Sequence, residues 1–105
     1  MNKIAFLNDG LRRTFSCGRV LMTAGVQALP EGKLAAVLER VRRFDEFTPD
    51  NDPHGDHDFG SFEIDGQTFF WKIDYYDKAC EFGSEDPADP EKTTRVLTIM
   101  RADEY

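Results

Sequence analysis

The feature that most constrains the fold is a pair of β-rich runs joined by Asp-Gly at 65–66, in the segment FGSFEIDGQTFFWKIDYYD. Asp-Gly is typical of a two-residue type I′ hairpin turn, in which both central residues need a positive φ. Such a turn pairs Ile64 with Gln67 and Gly60 with Trp71, and the missing side chain of Gly60 leaves room for the indole ring. The sequence therefore predicts an antiparallel hairpin whose register is fixed by its turn.

Alternation along both runs predicts that one face of this hairpin covers the helices. The residues of that face are Phe62, Ile64, Phe69, Trp71, Ile73 and Tyr75. The opposite face is polar with scattered aromatic residues. A later run, TTRVLTIM, is apolar on both of its faces, which is typical of a strand in the middle of a sheet.

Two segments have helical periodicity. Ile4, Leu7, Leu11 and Phe15 form one apolar stripe, and the segment LPEGKLAAVLERVRRF forms another that begins at Leu34. Between them, residues 19–24 alternate like a strand. Together these segments predict one domain over residues 1–105, of the α+β class, with two helices packed on one face of a four-stranded, mostly antiparallel sheet.

Charge is distributed unevenly along the chain, whose net charge is -7. Residues 1–43 hold eight Lys and Arg against three Asp and Glu, whereas residues 44–105 hold five against seventeen. Most of the acids fall in two proline-containing loops, 45–58 and 81–91, which we call the first and second acidic segments. Either the arginines of the front half neutralise these segments, or an acidic face remains that attracts basic partners and repels nucleic acid.

The first acidic segment contains the string DNDPHGDHDFG, in which two histidines lie three residues apart among four aspartates. Imidazole nitrogen and carboxylate oxygen are suitable ligands for a divalent metal ion. The hairpin register places Asp58 opposite Ile73, close to the end of the long strand. The candidate metal ligands are therefore His54, His57, Asp58, Asp74 and Asp77. The alternatives are an acidic loop built from Asx turns, and an acid/base site.

Other chemistry has little support in the sequence. We find no serine nucleophile elbow, no cysteine placed beside a histidine and no glycine-rich phosphate loop. Cys17 and Cys80 form no CxxC pair and are interpreted as reduced thiols. No apolar run approaches the roughly 20 residues needed to cross a bilayer, and the first residues do not form a signal peptide. We therefore expect a cytoplasmic protein that does not bind a membrane.

Five strings, taken together, resemble a bacterial family catalogued as domain of unknown function 3768. They are GRVLMTAGVQALP, DNDPHGDHDFG, FWKIDYYD, GSEDPADP and TTRVLTIM. The resemblance extends from about Leu7 to Tyr105. It implies a small, soluble, single-domain bacterial protein, often encoded near mobile elements, and it brings no activity, cofactor or catalytic residue.

Two functional hypotheses follow. The first is a non-enzymatic, cofactor-free module that binds a basic protein partner and not nucleic acid, for instance an inhibitor with a nucleic-acid-like negative surface. Its binding residues would be Asp50, Asp52, Asp56, Glu85, Asp86 and Asp89. The alternative is a small hydrolase that depends on a divalent metal held by the His/Asp loop.

Overall fold

A computed structural model describes residues 2–105 of the chain. The elements in chain order are α1 (Lys3–Thr14), β1 (Arg19–Met22), α2 (Ala24–Gln27), α3 (Glu31–Arg43), β2 (Phe59–Ile64), β3 (Gln67–Tyr76), β4 (Thr94–Arg101) and a 3-10 turn (Ala102–Glu104). Three helices and a four-stranded sheet give the predicted α+β class. Within the described residues, no helix has both the length and the apolar character needed to span a membrane.

The sheet has the strand order β1-β4-β3-β2. β4 therefore lies inside the sheet, as its apolar faces predicted. It pairs antiparallel with β3 and parallel with β1, and β2 pairs antiparallel with β3. The prediction of a mostly antiparallel sheet is confirmed, and the one parallel pair joins the two strands that are farthest apart in sequence.

The hairpin has the predicted register, with Gly60 opposite Trp71. The turn residues Asp65 and Gly66 have φ values of 52° and 77°, as a type I′ turn requires. A Cβ atom added to Gly60 would lie 2.6 Å from Cε2 of Trp71. The glycine is therefore required by the close approach of the indole ring to the β2 backbone.

All three helices contribute to one core on one face of the sheet. The helices supply Leu11, Val26, Val37 and Val41, and the sheet supplies Phe62, Phe69, Trp71, Ile73, Leu97 and Ile99. Two of these helices were predicted. The third, α2, is a single turn that follows directly after β1, so β1 ends at Met22 and not at residue 24 as predicted.

The buried side of α1 differs from the predicted apolar stripe. Leu11 is buried, but Leu7 is only half-buried, whereas Asn8, Asp9 and Arg12 are almost completely buried. These three polar side chains are accommodated because the rest of the fold supplies hydrogen-bonding partners for each of them. Helix α1 thus contributes the polar side of the domain interior.

Candidate functional site

The first acidic segment is folded around the carboxylate of Asp52. Its Oδ1 atom accepts hydrogen bonds from the backbone N–H groups of Asp56, at 3.1 Å, and His57, at 3.3 Å. The segment also contains a reciprocal pair of bonds between Thr48 and Asn51. Short polar side chains that bond to nearby backbone groups are the usual way to hold a turn. The loop is therefore ordered by its own polar residues.

His57 connects this loop to α1. Its Nδ1 lies 3.0 Å from Oδ1 of Asp9, and its Nε2 lies 3.7 Å from Oδ2 of Asp52. The imidazole stacks on the ring of Phe47, with centroids 3.9 Å apart and planes inclined by 2°. Both ring nitrogens therefore face carboxylates of this chain, and the side chain holds the loop against the helix.

Asp9 also forms a buried ion pair with Arg12, at 2.9 Å, and the guanidinium is completely buried. Nη1 of Arg12 donates to the backbone oxygens of Val41, at 2.9 Å, and Arg42, at 3.2 Å, at the end of α3. Burial lowers the pKa of Arg12, and the neighbouring Asp9 opposes that shift. The pair thus joins α1, α3 and the first acidic segment at one point.

A second polar cluster lies beside the first. Asn8 donates through Nδ2 to the hydroxyl of Tyr75, at 2.7 Å, and accepts through Oδ1 from Nε of Arg95, at 2.9 Å. The Tyr75 hydroxyl donates in turn to Oδ2 of Asp58, at 3.2 Å. Burial raises the pKa of Tyr75, and the nearby Asp58 raises it further, so the phenol stays protonated at neutral pH.

Burial also raises the pKa of Asp58 above its ordinary value of 3.8, with a smaller contribution from the charge of Asp56. The folded state therefore holds this proton more tightly than the unfolded state, and stability falls as pH rises from 3.8 through the higher pKa that Asp58 has in the folded state. We expect Asp58→Asn, which keeps the oxygen acceptor for Tyr75, to gain stability relative to wild type as pH rises through this window. Urea unfolding at several pH values measures the difference, and a constant or falling difference would contradict the prediction.

The five predicted metal ligands are not brought together. His54 is exposed, and Asp77 accepts the backbone N–H of Glu81. Asp74 pairs with Lys72 at 3.1 Å, on the sheet face opposite Tyr75. No group of three or more His, Cys, Asp or Glu side chains within residues 2–105 is arranged to hold a metal ion. The geometry gives no support to the hydrolase hypothesis.

The six acids predicted to bind a partner have different environments. Asp50, Glu85 and Asp86 are exposed, Asp56 and Asp89 are half-buried, and the Asp52 side chain is only 6% exposed. Asp52 and Asp56 bond within the first acidic segment and to Asn2, and Glu85 pairs with Lys92 at 3.4 Å. Of this set, Asp52 faces inward and the others reach the surface at least in part.

Four arginines of the front half have their side-chain contacts outside the two acidic segments. Arg13 lies 4.0 Å from Asp9, and Arg43 pairs with Glu39. Arg40 and Arg42 lie over the rings of Phe62 and Phe15, at 5.1 and 4.3 Å from the centroids. Across the part of the chain that the structure describes, no ion pair joins a front-half arginine to residues 45–58 or 81–91. The structure therefore shows no direct ion pair of this kind among the described residues, and neutralisation of the acidic segments at longer range stays a prediction.

Sequence reasoning missed the residues that organise this region, namely Asn8, Asp9, Arg12 and Arg95. One signal was present: Asn8 and Arg12 are four residues apart in α1, beside the apolar stripe. Residues at that spacing share one side of a helix. Their partners come from α3, β3, β4 and the first acidic segment, which no local pattern connects to α1.

Comparison with known proteins agrees with the resemblance noted in the sequence. A family model described as "Protein of unknown function (DUF3768)" matches residues 22–104, which is most of the chain. Neither the search of curated proteins nor the search of solved structures finds a match. On the family match, the chain belongs to DUF3768, a family of proteins of unknown function.

Proposed function

We propose that this protein is a non-enzymatic module that presents an acidic surface to a basic protein partner. The observation that carries the proposal is the separation of charge described above. Arg12, Arg13 and Arg43 pair with acids of their own helices, and no described ion pair joins a front-half arginine to the two acidic segments, so we expect their exposed carboxylates to keep most of their negative charge.

A surface of this kind favours association with a positively charged protein. A negative potential speeds the encounter with a basic partner and opposes the approach of nucleic acid. One form of the proposal is an inhibitor that occupies a nucleic-acid-binding groove in place of the nucleic acid. We place the protein in the bacterial cytoplasm, as the family resemblance implies.

The test compares two variants that raise the net charge by the same amount. The segment variant combines Asp50→Asn, Glu85→Gln, Asp86→Asn and Asp89→Asn, where asparagine keeps the oxygens that accept bonds within the turns. The control variant changes acids outside the segments: Glu31→Gln, Glu39→Gln, Glu63→Gln and Asp103→Asn. Each protein is used to capture partners from bacterial lysate at low and at high salt.

We expect wild type and the control variant to retain a basic protein at low salt and to release it at high salt. At roughly 0.3–0.5 kcal/mol for each exposed charge, the four changes in the segments weaken binding by about tenfold. The proposal fails if no protein is retained at low salt. It also fails if both variants lose binding equally, because the effect would then come from net charge alone.

A further inference from the structure

Arg95 is a buried cation that lacks a carboxylate partner. It lies in β4 and is 4% exposed, and it forms no ion pair with any residue from 2 to 105. Its Nε donates to Asn8, its Nη2 donates to the backbone oxygen of Pro87, and its guanidinium lies 5.4 Å from the centroid of the Tyr75 ring. Arginine is rarely buried unless it is paired, and a buried charge without a counter-ion is costly.

The second acidic segment does not supply the missing charge, although it touches Arg95 through Pro87. The carboxylate of Asp86 accepts the N–H of Ala88, and that of Asp89 accepts the N–H of Glu91. These side chains hold turns within the segment. Desolvation lowers the pKa of Arg95, but a guanidinium stays protonated at neutral pH.

A cavity of about 370 Å³ has Arg95 among its lining residues. Its charged lining side chains are Arg95 and Lys78, both positive, and its walls include Leu7, Gly18, Thr93 and Thr94. The hydrogen bonds of Arg95 to described residues use Nε and Nη2, which leaves the Nη1 donors for another acceptor. A concave space of this size, with convergent polar groups beside apolar ones, is typical of a small-molecule site.

We propose that this cavity binds a small molecule through an oxyanion group, either a carboxylate or a phosphate. Arg95 donates from the inner wall through Nη1, and Lys78 contributes a second positive charge. An oxyanion supplies the counter-charge that the buried guanidinium lacks, and charge-assisted bonds from arginine to carboxylate or phosphate are among the stronger hydrogen bonds in proteins. The site does not depend on the proposed function of the acidic surface.

The test is an NMR titration of the whole protein with inorganic phosphate and, separately, with acetate, at constant ionic strength maintained with sodium chloride. We expect saturable shifts, with a Kd of about 1–10 mM, in the amides of Gly18 and Thr94 and in the Arg95 side-chain Nε–H. Shifts with phosphate alone assign the ligand class to phosphates, and shifts with acetate alone assign it to carboxylates. Shifts with both anions support the shared oxyanion chemistry.

Two variants at lysine positions complete the experiment without disturbing the core. Lys78→Gln is expected to weaken binding by about fivefold, whereas Lys33→Gln, a matched change on α3, leaves binding as in wild type. The proposal is overturned if neither anion produces saturable shifts by about 50 mM. It is also overturned if Lys78→Gln and Lys33→Gln bind with the same affinity.

Discussion

Replacing Asp9 with asparagine is expected to lower the free energy of unfolding by about 3–5 kcal/mol, the usual cost of removing one partner from a buried ion pair. Arg12 would remain completely buried without the carboxylate that lies 2.9 Å from it, and His57 would lose the same partner. Because one carboxylate serves both side chains, α1 would lose its attachment to the first acidic segment as well as its internal ion pair. A loss of this size is a large fraction of the stability of a typical domain.

Urea unfolding, followed by the fluorescence of Trp71, measures this effect. The matched control is Glu39→Gln, which removes the acid from the exposed pair of Arg43 and Glu39 on α3. An exposed pair within a helix contributes only about 0.3–0.5 kcal/mol, so the control should unfold close to wild type. If Asp9→Asn costs less than about 1 kcal/mol, the buried pair does not stabilise the fold in the way described.

The second large effect is expected at Gly60, where we predict that Gly60→Ala lowers the free energy of unfolding by about 3 kcal/mol. The new methyl group would overlap the indole of Trp71, which is completely buried and packed against Phe44 and Phe47. Forcing an extra carbon into a filled core typically costs about 1–3 kcal/mol, and the rigid ring and backbone here leave little room to relax.

The same substitution at Gly10 is the control for Gly60→Ala. Gly10 lies inside α1, and a Cβ atom at this position would meet no described atom within 4 Å. Gly10→Ala should therefore raise stability by about 0.5–1 kcal/mol, because alanine favours the helix. Thermal unfolding of both variants gives the comparison. A loss at Gly60 no larger than about 0.5 kcal/mol would show that the indole moves aside.

The hairpin and the position of β4 were predictable because short-range rules determine them. A two-residue turn at Asp65-Gly66 allows one register, and that register fixes which residues face the helices. A strand that is apolar on both faces is typical of the middle of a sheet, and β4 has a neighbouring strand on each side. In these elements the local pattern and the tertiary structure agree.

The polar interior was not predictable, because its members come from distant parts of the chain. The polar pair Asn8-Asp9 has no distinguishing local pattern, and the partners of Asn8, Tyr75 and Arg95, are far along the chain. The helical stripe correctly marked Leu11 but gave no reason to bury Asp9 beside it. Likewise, the string around His57 suggested metal ligands, whereas its imidazole contacts an aspartate in α1 that the string does not contain.

The strand order has a consequence for synthesis. β1 and the β3 strand of the hairpin both pair with β4. In the pair of β1 with β4, Arg19 lies opposite Val96, so the two partners are separated by most of the chain in sequence. Non-local pairings of this kind slow folding because a long loop must close before they form. On the ribosome, both edges of β1 stay unpaired until residues 94–101 have emerged, and during that interval the strand is open to association with other chains.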